Sequence, residues 1–88
     1  CLELGIVNRV VPDEKLMTET MALARRLAAG PTVAYRLMKA NLARSGREDL
    51  ATCLGFEAEA TVASAGTEDH REAVRAFVEK RKPIFKGR

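Results

Sequence analysis

Apolar residues recur every three or four positions in four successive segments of this chain, and this recurrence constrains the fold more than any other feature. Such spacing places an apolar stripe along one side of an α-helix, whereas a half-buried strand requires strict alternation. Proline or glycine separates the segments, at Pro12, Gly30, Gly46, Gly66 and Pro83. The sequence therefore predicts an all-α fold of about four amphipathic helices, at residues 13–29, 31–44, 47–65 and 67–82.

The residues at the segment ends predict how each helix begins and stops. Asp13 can cap the first helix with its side-chain oxygen. Gly30 is expected to stop that helix in the left-handed conformation, which costs glycine little. Ser45 and Glu48 match a capping box ahead of the third helix. Thr67 is expected to cap the fourth helix.

Residues 1–11 precede the first helix and differ from it in character. The run LGIVNRVV at residues 4–11 is apolar and β-branched, which predicts a brief strand or a short extended segment. A single strand needs a partner from elsewhere. The chain also begins at Cys1 rather than at Met, and an exposed apolar start predicts that further sequence precedes it.

Composition limits the partners and the cell compartment. The net charge of +3 can favour anionic ligands, but it is too small to require nucleic acid, and the basic tail lacks interleaved aromatic residues. No apolar run reaches the roughly 20 residues of a membrane span. Cys1 and Cys53 form neither a disulfide framework nor a metal-binding spacing. We therefore expect reduced thiols, a cytoplasmic location, and no nucleic-acid, membrane or metal partner.

Four runs of sequence, in this order and at this spacing, resemble the C-terminal part of the enoyl-CoA hydratase/isomerase (crotonase) family. They are LGIVNRVVP at residues 4–12, LAAGP at 27–31, LGFEAE at 54–59, and TEDHREA at 67–73 continued by AFVEKRKPIFKG at 76–87. The last run resembles the closing signature of the family. Residues 1–88 are therefore identified as one C-terminal helical assembly region.

The resemblance implies a function for the parent protein rather than for this chain. Family members bind an acyl-CoA in an N-terminal core, which stabilises an enolate-like charge with two backbone N–H groups, and their C-terminal helices build trimers or hexamers. The parent protein is expected to hydrate 2-enoyl-CoA, or to catalyse a related isomerisation, in fatty-acid-type metabolism. Coenzyme A thioester is its substrate, and no separate cofactor is expected. No catalytic residue is assigned here, and the 88 residues alone are predicted to be inactive.

Two residues near the end of the fourth helix are candidates for coenzyme A binding. Lys80 matches a family lysine that in some members approaches the nucleotide held by a neighbouring subunit, and an ammonium group suits phosphate. Its alternative is an ordinary solvated lysine at a helix end. Phe77 shares a face with Val74 and Val78, so it either packs in a core or lines a nucleotide pocket. Thr61 stands where some hydratases have an aromatic residue, and threonine cannot stack on adenine.

We expect ordinary structural roles for three other residues. Glu57 is expected to be a structural acid bonded to backbone or to arginine. His70 is expected at the surface, and Cys53 is expected to act as a small core residue. Gly55, inside the third helix, costs about 1 kcal/mol relative to alanine, so we expect a close helix contact there.

A second hypothesis from a different functional class stays open. The chain can instead be a stand-alone, non-enzymatic helical oligomerisation module. The sequence upstream of Cys1 discriminates between the two. A glycine-rich oxyanion loop followed by a glutamate favours the enzyme, whereas a start codon near Cys1 favours the module.

Overall fold

Four α-helices and no strand make up the computed structural model, which describes all 88 residues. The helices are α1 Asp13–Ala28, α2 Thr32–Ser45, α3 Leu50–Ala65 and α4 Glu68–Val78. The predicted all-α fold with four helices is confirmed. The two later helices are shorter than predicted, because α3 begins three residues after position 47 and α4 ends four residues before position 82.

The predicted brief strand at residues 4–11 does not form, and a turn occupies residues 1–6 instead. The N–H of Gly5 donates to the carbonyl of Leu2, and the N–H of Ile6 donates to the carbonyl of Cys1, both at 3.0 Å. Gly5 has φ 69°, which is a left-handed conformation. Without a neighbouring strand to accept its hydrogen bonds, the backbone closes its own turn.

Helix capping agrees with the sequence at one end and differs at others. Thr67 caps α4 as predicted, because its hydroxyl accepts the N–H of His70 at 3.0 Å. The predicted capping box at residues 45 and 48 is wrong. Asp49 caps α3 instead and accepts the N–H of Thr52 at 2.8 Å. Ser45 still belongs to α2, and its hydroxyl donates to a carbonyl in that helix. At α1 the N-cap is a proline, and Asp13 is the first helical residue.

The helices spread into an open layer rather than closing into a bundle. α2 and α3 lie antiparallel, and α4 contacts the end of α3, whereas α1 makes almost no contact with the others. The layer measures 43 × 39 × 19 Å. Its radius of gyration is 16.6 Å, compared with about 12 Å for a compact domain of this length.

Very little of the chain is buried. Only Gly30, Asp69 and Ala76 are buried among the 88 residues. The exposed area is 7,489 Å², whereas a compact monomer of this mass exposes about 5,100 Å². The excess of about 2,400 Å² is surface that the chain does not cover with its own residues.

One face of α3 illustrates this exposure. Leu50, Leu54 and Val62 lie along it and are 75%, 60% and 74% exposed. Gly55 also has open space where a side chain would stand, so the close helix contact expected there is absent from this chain. The side of α3 that carries Cys53, Phe56 and Glu57 lies toward α2, and Leu54 stands at its edge. Because apolar residues lie on the exposed side of α3 as well as toward α2, the helix has the character of one that is buried on more than one side.

Gly30 has a different role from the one its position suggested. It does not adopt a left-handed conformation, and α1 ends through right-handed Ala29. The ring of Tyr35 lies directly over it, so that a Cβ at this position would come within 2.6 Å of ring carbons Cε2 and Cζ. Gly30 is therefore needed for the close packing of Tyr35 at the start of α2.

We expect Gly30→Ala to lower the free energy of unfolding of the full-length protein by about 1–3 kcal/mol, because the tyrosine ring must leave its place. Denaturant unfolding measures this. The loss should largely disappear when Tyr35→Ala is present as well. Gly46→Ala is the matched control, since nothing lies within 4 Å of that position. Equal costs at both glycines would contradict the packing role of Gly30.

Candidate functional site

The end of α4 and the segment after it carry the densest group of side-chain hydrogen bonds in the chain. Two backbone hydrogen bonds reverse the chain as the helix ends. The N–H of Lys80 donates to the carbonyl of Phe77 at 3.2 Å, and the N–H of Arg81 donates to the carbonyl of Ala76 at 3.0 Å. These two bonds define a Schellman motif, in which the residue after the cap is left-handed and is usually glycine.

Lys80 occupies the left-handed position of this motif. Its φ of 54° makes it the one non-glycine residue of the chain with positive φ. The Cβ of an L-residue crowds its own carbonyl in this region, which costs about 1–2 kcal/mol relative to a right-handed conformation. Backbone strain of this kind concentrates at functional sites and persists only where neighbouring structure enforces it.

Arg81, the next residue, is tied to α4 by its side chain. Its two terminal nitrogens donate to the two carboxylate oxygens of Glu72, at 2.6 and 3.1 Å. Its Nε donates to Glu79 at 2.5 Å. A planar guanidinium matches a carboxylate in this two-bond geometry, which fixes direction as well as distance.

Hydrogen bonding at this pair shifts both ionisable groups toward their charged forms. The bonds from Arg81, followed by the backbone N–H of Ile84, lower the pKa of Glu72 to about 2. The bonds to Glu72 and then to Glu79 raise the pKa of Arg81 above its usual value. The pair therefore stays ionised throughout the physiological range.

The last residues of the chain run back along α4 and are held by its first turn. Asp69 is buried, and its carboxylate accepts the N–H of Lys86 at 2.7 Å and the N–H of Gly87 at 2.9 Å. Its own N–H donates to the carbonyl of Arg88 at 3.0 Å. The main role of Asp69 here is to hold the C-terminal segment.

The two candidate residues for coenzyme A binding come together beside this cluster. Phe77 lies one turn before Lys80 and is 85% exposed, so packing in a core is not its role within this chain. Lys80 is exposed and forms no ion pair, in contrast to Arg81 and Arg88, which are each paired with glutamate. An exposed cation and an exposed aromatic ring therefore stand at the same end of α4.

The remaining sequence candidates lie elsewhere. Glu57 is exposed and accepts a hydrogen bond from the side-chain amide of Asn41 at 2.7 Å, so its partner is neither backbone nor arginine. His70 is exposed, as expected. Cys53 is half-buried and free, and it lines a groove of about 370 Å³ between α2 and α3.

The whole of residues 1–88 matches the family model described as enoyl-CoA hydratase/isomerase. The chain belongs to this family. It is 38% identical to the short-chain-enoyl-CoA hydratase of Clostridium acetobutylicum over 92% of the chain and 31% of that protein. It is 35% identical to the crotonyl-CoA hydratase of Syntrophomonas wolfei over 93% of the chain and 32% of that protein.

Solved structures of the family agree with the fold. The crystal structure of an enoyl-CoA hydratase subunit from Geobacillus kaustophilus has a TM-score of 0.90 and 45% identity, over 99% of this chain and 34% of that chain. The enoyl-CoA hydratase of Bacillus anthracis has a TM-score of 0.88 and 34% identity over the same shares. The chain thus spans about a third of the length of its relatives and corresponds to their C-terminal helical region.

The comparisons and the helices also bear on location. No helix is both long and apolar enough to cross a membrane. One relative, enoyl-CoA hydratase domain-containing protein 3 of Mus musculus, is named as mitochondrial and is 33% identical over 96% of this chain and 28% of that protein. The predicted cytoplasmic location stays a prediction.

We expect Glu72 to hold the C-terminal segment in a pH-dependent manner. Its folded pKa lies below the ordinary value of 4.5, so its stabilising contribution is complete above about pH 4.5 and is lost as the pH falls through about 2. The amide shift of Ile84, in protein labelled at isoleucine with ¹⁵N, should therefore titrate near pH 2. Glu72→Gln should abolish this inflection and Glu59→Gln should keep it. An inflection near pH 4.5 in the unchanged protein would contradict the bonding described here.

Proposed function

We propose that the full-length protein hydrates 2-enoyl-CoA thioesters, or isomerises related acyl-CoA substrates, in fatty-acid-type metabolism. The observation that carries this proposal is the match of all 88 residues to the hydratase/isomerase family, with 45% identity to a solved enoyl-CoA hydratase at a TM-score of 0.90. Relatives from two bacteria are named as hydratases of short-chain enoyl-CoA and of crotonyl-CoA. Their shared chemistry is addition of water to an unsaturated thioester.

Within that enzyme, the 88 residues serve as a helical assembly region and have no catalytic activity alone. The three groups with shifted pKa values, Asp49, Glu72 and Arg81, each owe the shift to a hydrogen bond that caps a helix or holds the C-terminal segment. A catalytic acid or base needs a pKa shift that serves proton transfer. These shifts serve structure instead.

The uncovered surface supports a role in homo-oligomer assembly, as a trimer or hexamer. A typical specific interface buries about 800 Å² on each partner. The excess exposed area of about 2,400 Å² exceeds one such interface. It leaves apolar surface for an acyl-CoA-binding core of the same subunit and for neighbouring subunits as well.

Lys80 and Phe77 contribute to coenzyme A binding in that assembly. The support for this is the free charge of Lys80, the exposure of Phe77, and the strained backbone that carries the lysine. Phosphate groups bind a compact ammonium well, and an aromatic ring stacks on or covers an adenine.

The proposed assembly role predicts that the full-length protein and the 88-residue chain differ in hydratase activity. Full-length protein should hydrate crotonyl-CoA, followed as loss of absorbance of the conjugated thioester, and the 88-residue chain should not. A mixture of the 88-residue chain with heat-inactivated full-length protein serves as the blank. Hydration by the 88 residues alone would contradict the proposal that this region only assembles the enzyme.

We expect Lys80→Ala to weaken coenzyme A binding to the full-length protein about fivefold, which corresponds to about 1 kcal/mol for an exposed ion pair. Isothermal titration calorimetry at low ionic strength measures it, because salt screens such contacts. Lys82→Ala is the matched control, since Lys82 is also exposed and without an ion pair. Equal effects of the two variants would indicate a general charge effect rather than a contact by Lys80.

A further inference from the structure

The left-handed conformation of Lys80 calls for a physical cause. Glycine adopts this conformation without crowding and is the usual residue at this place in the motif. The chain has lysine there, at φ 54°, although its two other residues with positive φ are glycines, Gly5 and Gly87. The presence of a side chain larger than glycine at a strained backbone position points to a functional role for that side chain.

We propose that Glu72 and Arg81 are positioning residues, which hold Lys80 left-handed so that its ammonium group is aimed at a coenzyme A phosphate. This inference rests on the proposed function, because it assigns a means of control to the lysine that the proposal places at the nucleotide. Neither Glu72 nor Arg81 touches the ligand in this arrangement. They act only through the backbone of Lys80.

The first argument is geometric. Arg81 is held through both its backbone and its side chain. Its N–H donates to the carbonyl of Ala76 at 3.0 Å, and its guanidinium donates to the two carboxylate oxygens of Glu72 at 2.6 and 3.1 Å. The chain must reverse between Glu79, which is still right-handed, and this fixed arginine. A single left-handed residue at position 80 makes that reversal.

The second argument is electrostatic. The charge of Arg81 is balanced by two glutamates, Glu72 and Glu79, so it is not offered to a ligand. Lys80 stands beside these three paired groups with no ion pair of its own. The two adjacent cations therefore have different roles. Arg81 holds the turn, and Lys80 remains available to bind an anion.

The third argument concerns the order of events in binding. A lysine on a loose chain end must lose backbone freedom when it meets a phosphate, and this loss weakens binding. The turn at Lys80 is closed by bonds within the chain itself, which involve Ala76, Phe77 and Glu72. Loosening the turn should therefore weaken binding even though the lysine and its charge remain.

The test is a double-mutant cycle on the full-length enzyme, with coenzyme A itself as the probe. Lys80→Gly should weaken coenzyme A binding about fivefold, and Glu72→Gln should weaken it about threefold. Since Glu72 acts through Lys80, the double variant should be no weaker than Lys80→Gly alone. In kinetics, both single variants should raise KM and leave kcat unchanged. Glu68→Gln is the matched control, because Glu68 pairs with Arg88 at 3.0 Å on the same helix without involving residue 80.

A second readout separates function from structure. Lys80→Gly relieves the strain, so its thermal midpoint should rise while its affinity for coenzyme A falls. A merely structural residue would move both in the same direction. The proposal is overturned if Glu72→Gln leaves affinity unchanged while Lys80→Gly weakens it, and the proposed contact of Lys80 then still stands. It is also overturned if the two effects multiply. If Lys80→Gly leaves affinity unchanged, the proposed contact itself fails.

Discussion

Most of the apolar surface of these helices is not covered by other residues of the chain. This lack of burial within the chain is the constraint on which the rest of the structure depends. Only three of the 88 residues are buried, and Ala76 is the only apolar side chain among them. Hydrophobic burial is the dominant favourable term in folding. A layer of helices with this much exposed apolar surface gains little stability from burial within its own residues, and we propose that a larger body covers it. The chain spans about a third of the length of its relatives.

Because few residues are buried, polar contacts hold the C-terminal segment in place. The C-terminal segment is fixed by carboxylates of α4, with Asp69 holding residues 86 and 87 and Glu72 holding residues 81 and 84. A hydrogen bond to a charged group contributes about 1.5–3 kcal/mol, more than one between neutral partners. These bonds shape the turn at Lys80 locally, so the candidate ligand contact depends little on the packing that the chain lacks.

The sequence predicted the parts of the structure that depend on local periodicity and local caps. Helix number followed from apolar spacing, and the cap by Thr67 followed from its residue type and its place at the start of the fourth segment. The same local logic misplaced the cap of α3, because Asp49 lies closer to the first turn than Ser45 does. It also assigned Gly30 a left-handed stop, whereas the glycine makes room for the ring of Tyr35.

The candidate site was only partly predictable for a related reason. Lys80 and Phe77 were identified through a family resemblance, but the pairing of Glu72 with Arg81 joins residues nine positions apart across a chain reversal. Helix periodicity does not report on such contacts. The left-handed lysine also escaped prediction, because β-carbon crowding makes lysine a poor choice there on local grounds alone. A glutamate nine positions before an arginine that follows a helix end was the available signal.

Hydrogen–deuterium exchange tests the central claim most directly, by comparing the 88-residue chain with the full-length protein. If the exposed faces of α1 and α3 are covered by the rest of the protein and by neighbouring subunits, backbone amides of these helices should exchange at least about a hundredfold more slowly in the full-length protein, since burial there suppresses local opening. Equal protection in the two forms would contradict the account, because it would mean that these helices are stable without any covering surface.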